Sequence, residues 1–264
     1  MSSLPRSFVK PLIQILSSLG ASALLACAVT ADAAEIKVLT AGAFKPVVQA
    51  VVPEFEKQTG HRVIVENDTV GGLARRIKGD EAFDVAILSP ATITPLVQDG
   101  KIATGSVNAL ARVGVGVAVK RGAAMPNIAT VDAFKTTLLA ARAVAYIDPA
   151  AGGSSGIYFS QLIDKLGIGN AVKAKAVLVP GGLVAERLLT DQADIAIHQI
   201  SEILAVPGAV LVGPIPAEIQ NYTTYSGGLS AKSSNLEAAQ AFLAALKSDS
   251  TQAILKQRGM EAAK

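Results

Sequence analysis

Tryptophan is absent from these 264 residues, cysteine occurs once and histidine twice. One thiol cannot make an internal disulfide, and two imidazoles exclude a histidine-rich metal centre. Aromatic residues are 4% of the chain and charged residues 17%, with 24 Lys and Arg against 21 Asp and Glu. So small a basic excess, scattered and with few aromatics to stack on bases, excludes a nucleic-acid partner. No cofactor and no metal is expected. What the chain has in quantity is apolar: 50% hydrophobic residues, with 23 glycines among the rest. That is a globular composition, long enough for one or two domains and a sizeable core.

Residues 1–33 have the pattern of an export signal. Arg6 and Lys10 give a positive start, Leu12 to Val29 is largely apolar, and Ala31-Asp32-Ala33 offers small residues where a signal peptidase cuts. The apolar run is short and diluted by Ser and Gly, which disfavours a retained span of about 20 residues. Leu24-Leu25-Ala26-Cys27 is a loose lipoprotein match and ranks second to soluble export. The mature chain is then nearly neutral, periplasmic and monomeric, with no stable transmembrane segment.

From residue 35 short strand-like and helix-like runs alternate. Ile36–Thr40, His61–Glu66, Asp84–Leu88, Val113–Val119, Ala143–Ile147, Ala176–Val179 and Ile195–Gln199 read as strands. Pro46–Gln58, Leu73–Lys78, Gly156–Leu166, Gly182–Leu189, Leu236–Lys247 and Thr251–Arg258 read as helices, with Pro53 expected to kink or divide the first. The alternation predicts an α/β fold of mostly parallel sheets with helices on both faces. It falls into two lobes, 34–116 with 222–264, and 117–221, joined through Val113–Val119. Ligands of such sheets bind at the carboxyl ends of the strands.

The loops there are Ala41–Lys45, Asn67–Gly72, Ser89-Pro90, Asp148–Gly156 and Gln199–Ser201. Small and hydroxyl residues before a helix leave backbone N–H groups uncovered, and the helix dipole favours negative charge there. One such loop is an ordinary cap; several at one sheet edge read equally as caps and turns or as an anion site. The ligand-binding candidates are Ala43, Thr69, Gly71, Ser89, Ser154, Ser155, Val184 and Gln199. His198 ends a strand at the same edge and is the candidate proton-transfer group, while Lys45 is placed to reach a carboxylate. His61, Arg75, Arg76, Lys78 and Tyr158 read as structural or solvent-facing. Gly152-Gly153-Ser154-Ser155-Gly156 also contains the Gly-x-Ser-x-Gly pattern of hydrolases. Pro149 and the residues after it break the tight strand-to-helix turn that chemistry needs.

Taken together, these stretches resemble the periplasmic molybdate-binding proteins of ABC transporters. The likeness runs through Phe55–Gly60, Leu73–Ile77, Asp84–Ile87, Asp148-Pro149 and Gly156–Tyr158. The resemblance implies the two-lobed type II solute-binding fold, a small anionic ligand and a transporter permease as partner. Ala43, Thr69–Gly72 and Gln199 stand where molybdate binders usually carry serines and a tyrosine, which argues against molybdate. The first expectation is a receptor for a small anion, a di- or tricarboxylate before an oxyanion. The alternative is an isomerase on the same scaffold, similar to periplasmic aconitate isomerases, with Lys45 and His198 as its catalytic residues.

Overall fold

The computed structural model describes residues 33–263. The expected leader, Ala33 apart, and Cys27 lie outside them. The chain begins with β1 (Glu35–Ala41), a 3-10 turn (Gly42–Phe44), α1 (Lys45–Thr59), β2 (Arg62–Asp68), α2 (Val70–Lys78), β3 (Val85–Leu88) and α3 (Pro90–Gln98). A long β4 (Asn108–Lys120) follows, then α4 (Val131–Ala140), β5 (Val144–Ile147), α5 (Ser154–Lys165), α6 (Gly169–Lys173) and β6 (Ala176–Val179). After α7 (Glu186–Leu189) come β7 (Ile195–Gln199), α8 (Ile200–Ile203), β8 (Ala209–Pro214) and β9 (Tyr222–Leu229). Helices α9 (Leu236–Ala245) and α10 (Asp249–Gln257) and a short β10 (Glu261–Ala262) close the fold.

The strands lie in the order β2-β1-β3-β9-β4-β7-β5-β6, with β8 and β10 also paired to β4. Parallel pairing holds in the outer parts, β2-β1-β3 and β7-β5-β6. There helical crossovers return the chain to the same end of the sheet. The middle is antiparallel: β9 pairs with both β3 and β4, and β4 with β7, β8 and β10. The sequence reading had neither β8 nor β9, and so missed the antiparallel centre. The crossing segment read at 113–119 is longer than expected. Residues Asn108–Gly114 of β4 pair with β9, and Val115–Lys120 with β7 and β8.

Buried apolar residues form three clusters. The first joins Ile36, Leu39, Phe44, Phe55, Leu73, Ile87, Phe242 and their neighbours from residues 36–113 and 225–260. The other two draw on residues 115–215 and lie on opposite sides of β7: Ile195 and Ile197 in one, Ala196 in the other. That alternation follows from the two-residue period of a strand, and it sets the side chain of His198 on the face of Ala196.

Two local expectations are corrected. Helix α1 is continuous through Pro53. Proline removes the bond to the carbonyl four residues back, that of Gln49, but Gln49 and Pro53 are both exposed, so the carbonyl is open to solvent and the ring has room. Valines 47, 48 and 51 and Phe55 meanwhile hold the opposite face in the core. The helix expected over Gly182–Leu189 is reduced to its last four residues, because Gly182 sits at φ +83° and cannot continue a right-handed turn.

Candidate functional site

Five strand ends converge on one cavity, lined by Ala41, Gly42, Ala43, Asn67–Val70, Ile147, Gly153–Ser155, Gly182, His198, Gln199, Glu202 and Tyr225. Each wall is set by a local rule. After β1 the chain turns at once through Gly42–Phe44 into α1, and neither start carries a side-chain cap. After β2, Thr69 caps α2: its Oγ1 accepts from the N–H of Gly72 at 2.9 Å and donates to the carbonyl of Ala151 at 2.6 Å. Asp68 takes the N–H of Thr69 at 2.7 Å, so the start of α2 is already supplied with acceptors.

After β5, Asp148 accepts from Ala150 N–H, and Gly152 at φ +80° turns the chain toward α5. Gly153 caps α5 with no side-chain acceptor. The first N–H groups of this twelve-residue helix, beside Ser154 and Ser155, are therefore open to an anion. The loops after β2 and β5 also touch: the N–H of Gly71 donates to the carbonyl of Gly152 at 3.2 Å. A Cβ on Gly71 would stand 2.9 Å from the Cα of Gly152.

At the end of β7 the polar groups are buried. Nε2 of His198 lies 3.1 Å from Oε2 of Glu202, with 1% of His198 and 7% of Glu202 exposed. Burial disfavours charge on both, pushing the imidazole down to about 3 and the carboxyl up to about 8. The pair thus shares one proton across the neutral range. Nδ1 of His198 and Oε1 of Gln199 have no hydrogen-bond partner among the described residues, although Nε2 of Gln199 donates to Thr223 at 2.9 Å. Such atoms carry a cost of about 1–3 kcal/mol until something meets them. Tyr225 is buried beside the pair, its phenol raised first by burial and then by Glu202, against an opposing hydrogen bond with Ser154.

Of the residues singled out in the sequence, Ala43, Thr69, Ser154, Ser155, His198 and Gln199 line this cavity. Lys45, Gly71, Ser89 and Val184 are outside its lining. Lys45 is the first residue of α1, Gly71 bridges to Gly152, Ser89 shares a hydrogen bond with Thr92, and Val184 is wholly buried in the core. No Lys or Arg lines the cavity among the described residues. Arg76 does not simply face solvent: it is paired with Glu66 and Glu81. His61 accepts from the N–H of Ala34, and Tyr158 donates to the carbonyl of Ile219. Asp194, just before β7, is bonded to Arg142.

The sequence reading missed Glu202 and Tyr225. Glu202 follows His198 by four residues, but across the junction of β7 and α8 rather than within one helix, so no helical periodicity marked the first. For the second, no local signal shows that β9 returns to the middle of the sheet. Among the described residues there is no group of three or more His, Cys, Asp or Glu placed to hold a metal, and no helix long and apolar enough to cross a membrane.

Residues 36–261 match the family model of bacterial extracellular solute-binding proteins. The chain is 32% identical over 232 residues to an aconitate isomerase of a Pseudomonas species, covering 86% of this chain and 87% of that one. It is 28% identical over 257 residues to the molybdate-binding protein ModA of Azotobacter vinelandii, covering 94% and 97%. Among solved structures, the periplasmic molybdate-binding protein of that organism superposes with a TM-score of 0.74 at 20% identity, over 87% of this chain and all of the other. The sulfate-binding protein SubI of Mycobacterium tuberculosis gives 0.69 at 19%, over 88% of each. With its parallel flanks, antiparallel centre and strand-end cavity, the chain belongs to the bacterial extracellular solute-binding protein family and has the two-lobed type II solute-binding fold.

Proposed function

We propose that the protein is an exported, cofactor-independent isomerase of small unsaturated polycarboxylates, interconverting cis- and trans-aconitate by allylic proton transfer. The observation that carries this is the buried His198–Glu202 pair in the wall of a cavity that no Lys or Arg lines among the described residues. A receptor for an anion needs only donors, whereas a carboxyl that can both hold and release a proton, set against a histidine, supplies what proton transfer needs. The similarity to the Pseudomonas aconitate isomerase over most of both chains supports the same reading.

In the propene-tricarboxylate skeleton, removing a methylene proton and returning it to the former vinyl carbon moves the double bond and exchanges the two isomers. The site would hold the carboxylates on the N–H groups and hydroxyls of Ser154 and Ser155, on Asn67, and on Nδ1 of His198. The His198–Glu202 pair would take and return the proton. Lys45 drops out of this scheme because it stands outside the lining. The lobes enter as 34–116 with 222–264, and 117–221, a division supported by the break in the apolar clusters between Val113 and Val115. Export to the periplasm rests on the leader pattern of residues 1–33.

The test is to incubate protein beginning at Ala34 with either isomer and follow the vinyl proton by NMR. Equilibration of the two isomers is the expected result. Binding of aconitate without interconversion would move the protein to a second reading, a carboxylate receptor that delivers to a permease. The direct contacts of Thr69 and Gly71 with Ala151 and Gly152, bonds a closing cleft would form, favour that reading. Stabilisation by micromolar molybdate and not by carboxylates would contradict both.

A further inference from the structure

Glu202 sits at the third position of α8, and the spacing of four brings its carboxyl back over the end of β7. One oxygen, Oε2, faces the imidazole of His198. The other, Oε1, faces Gly42, where a Cβ would stand only 2.5 Å away; the carboxyl occupies the space a side chain would otherwise fill. The remaining groups around it are uncharged or acidic. They are Tyr225 from β9, Ser154 and Ser155 from α5, Gly42 after β1, and Asp68 at the end of β2. The residues of β4 paired with this end of β7, Val115 and Gly116, carry no charge. His198 has its Nε2 turned to the carboxyl and is almost wholly enclosed.

Resting on the isomerase reading, we propose that Glu202 is the catalytic base that moves the allylic proton, that His198 is the positioning residue that holds it, and that anion binding is coupled to protonation of this carboxyl. In the step itself, ionised Glu202 takes a proton from the methylene carbon. The C–H electron pair enters the allyl system, the double bond shifts, and the same proton is returned to the other terminal carbon. Nothing is oxidised or reduced, and no proton is gained or lost over the cycle.

Binding and turnover then make opposite demands. A protonated carboxyl is a neutral hydrogen-bond donor that accepts an arriving anion, whereas an ionised one repels it in a cavity without a cation. Chemistry needs the ionised form. Since burial raises this carboxyl to about 8, kcat/KM is expected to climb about tenfold per pH unit up to that point and then level off. The Kd of citrate, which has the carboxylates but no double bond, is expected to rise about tenfold per unit above it.

The experiment compares wild type, Glu202→Gln and His198→Asn, measuring aconitate interconversion and citrate binding from pH 6 to 9. Glu202→Gln is expected to lose at least 100-fold in turnover while binding citrate with an affinity independent of pH. His198→Asn, which removes both the partner of Glu202 and the Nδ1 contact, is expected to lose less turnover than Glu202→Gln and to displace the pH midpoint. Turnover in Glu202→Gln within tenfold of wild type would overturn the proposal, as would its loss in His198→Asn alone. If wild type interconverts nothing yet its citrate affinity falls above pH 8 only while Glu202 is present, the isomerase reading fails and the proton coupling stands. A pH-flat citrate affinity in wild type overturns the coupling whatever the turnover.

Discussion

Two acid–base clusters are built into this fold, and their surroundings drive them in opposite directions. At the edge made by β1, β2 and α2, Lys37 bridges Glu66 and Glu81 at 2.9 Å each, and Arg76 bonds the same two carboxylates. Every charge there has two opposite partners and water nearby. Hydrogen bonds from Arg76 and then Lys37 hold Glu81 down at about 2, and Lys37 and Arg76 lower Glu66. Glu81 and Glu66 in turn raise both bases. The His198–Glu202 pair has one contact, no neighbouring Lys or Arg among the described cavity residues and little exposure, so burial raises the acid and lowers the base. The first arrangement reinforces charge and ties three elements together; the second suppresses charge and keeps a proton ready. Residue types alone do not separate a structural ion pair from a proton-transfer pair. What separates them is the number of partners each charge has and its access to water.

Breaking the buried pair should have the largest effect. His198→Ala leaves the Glu202 carboxyl enclosed without its partner and is expected to cost about 2–3 kcal/mol, read from urea unfolding at pH 6. Equal stability of the variant would show that the pair is not closed off from water.

The pH dependence separates the clusters next. Glu202 rises from an unfolded value of 4.5 to about 8, so its stabilising contribution is complete below 4.5 and is lost as pH rises toward 8. His198 falls from 6.5 to about 3, so its contribution is complete above 6.5 and is lost as pH drops toward 3. Between 4.5 and 6.5 the two slopes cancel. From 6.5 to 8 only Glu202 acts, and stability should fall by about 2 kcal/mol, at about 1.4 kcal/mol per unit. Glu202→Gln should abolish that fall. Glu66 and Glu81 have lowered values, so the surface cluster weakens at the acid end instead, as pH drops below 4.5.

Gly71→Ala sharpens the role of the loop contact. Its Cβ would press on Gly152 and part the two loops. Citrate binding should weaken about tenfold, or about 1.4 kcal/mol, while the unliganded melting temperature changes little. The smallest effect belongs to the surface: Glu66→Gln should cost under about 1 kcal/mol, fade at 1 M salt and leave turnover unchanged.

Much of this arrangement was legible in the residues. Ala176–Val179 was read as a strand to its exact ends, and of the residues singled out Ala43, Thr69, Ser154, Ser155, His198 and Gln199 lie at one cavity, with Lys45, Gly71, Ser89 and Val184 outside its lining. Local signals sufficed there because hydrophobic runs and helix caps act within a few residues. β9 escaped because Tyr-Thr-Thr-Tyr-Ser-Gly-Gly-Leu shows no clean alternation. Its glycines are required by distant neighbours: a Cβ on Gly228 would come within 2.8 Å of Ile102. Helices α3 and α4 escaped too, the first opening at Pro90 and carrying Pro95 within it, a poor helix signal in sequence. Glu202 was passed over because a lone acid after a loop usually meets water; only the fold, closing Gly42 and Tyr225 over it, takes that water away.

The most direct measurement is an NMR pH titration of the protein with labelled histidine and glutamate side chains. The account predicts one of the two imidazoles uncharged down to about pH 4 and one glutamate carboxyl changing near 8, both signals vanishing with their respective His198 and Glu202 substitutions. An imidazole at position 198 that gains its proton near 6.5, with every glutamate ionised by pH 6, would contradict it.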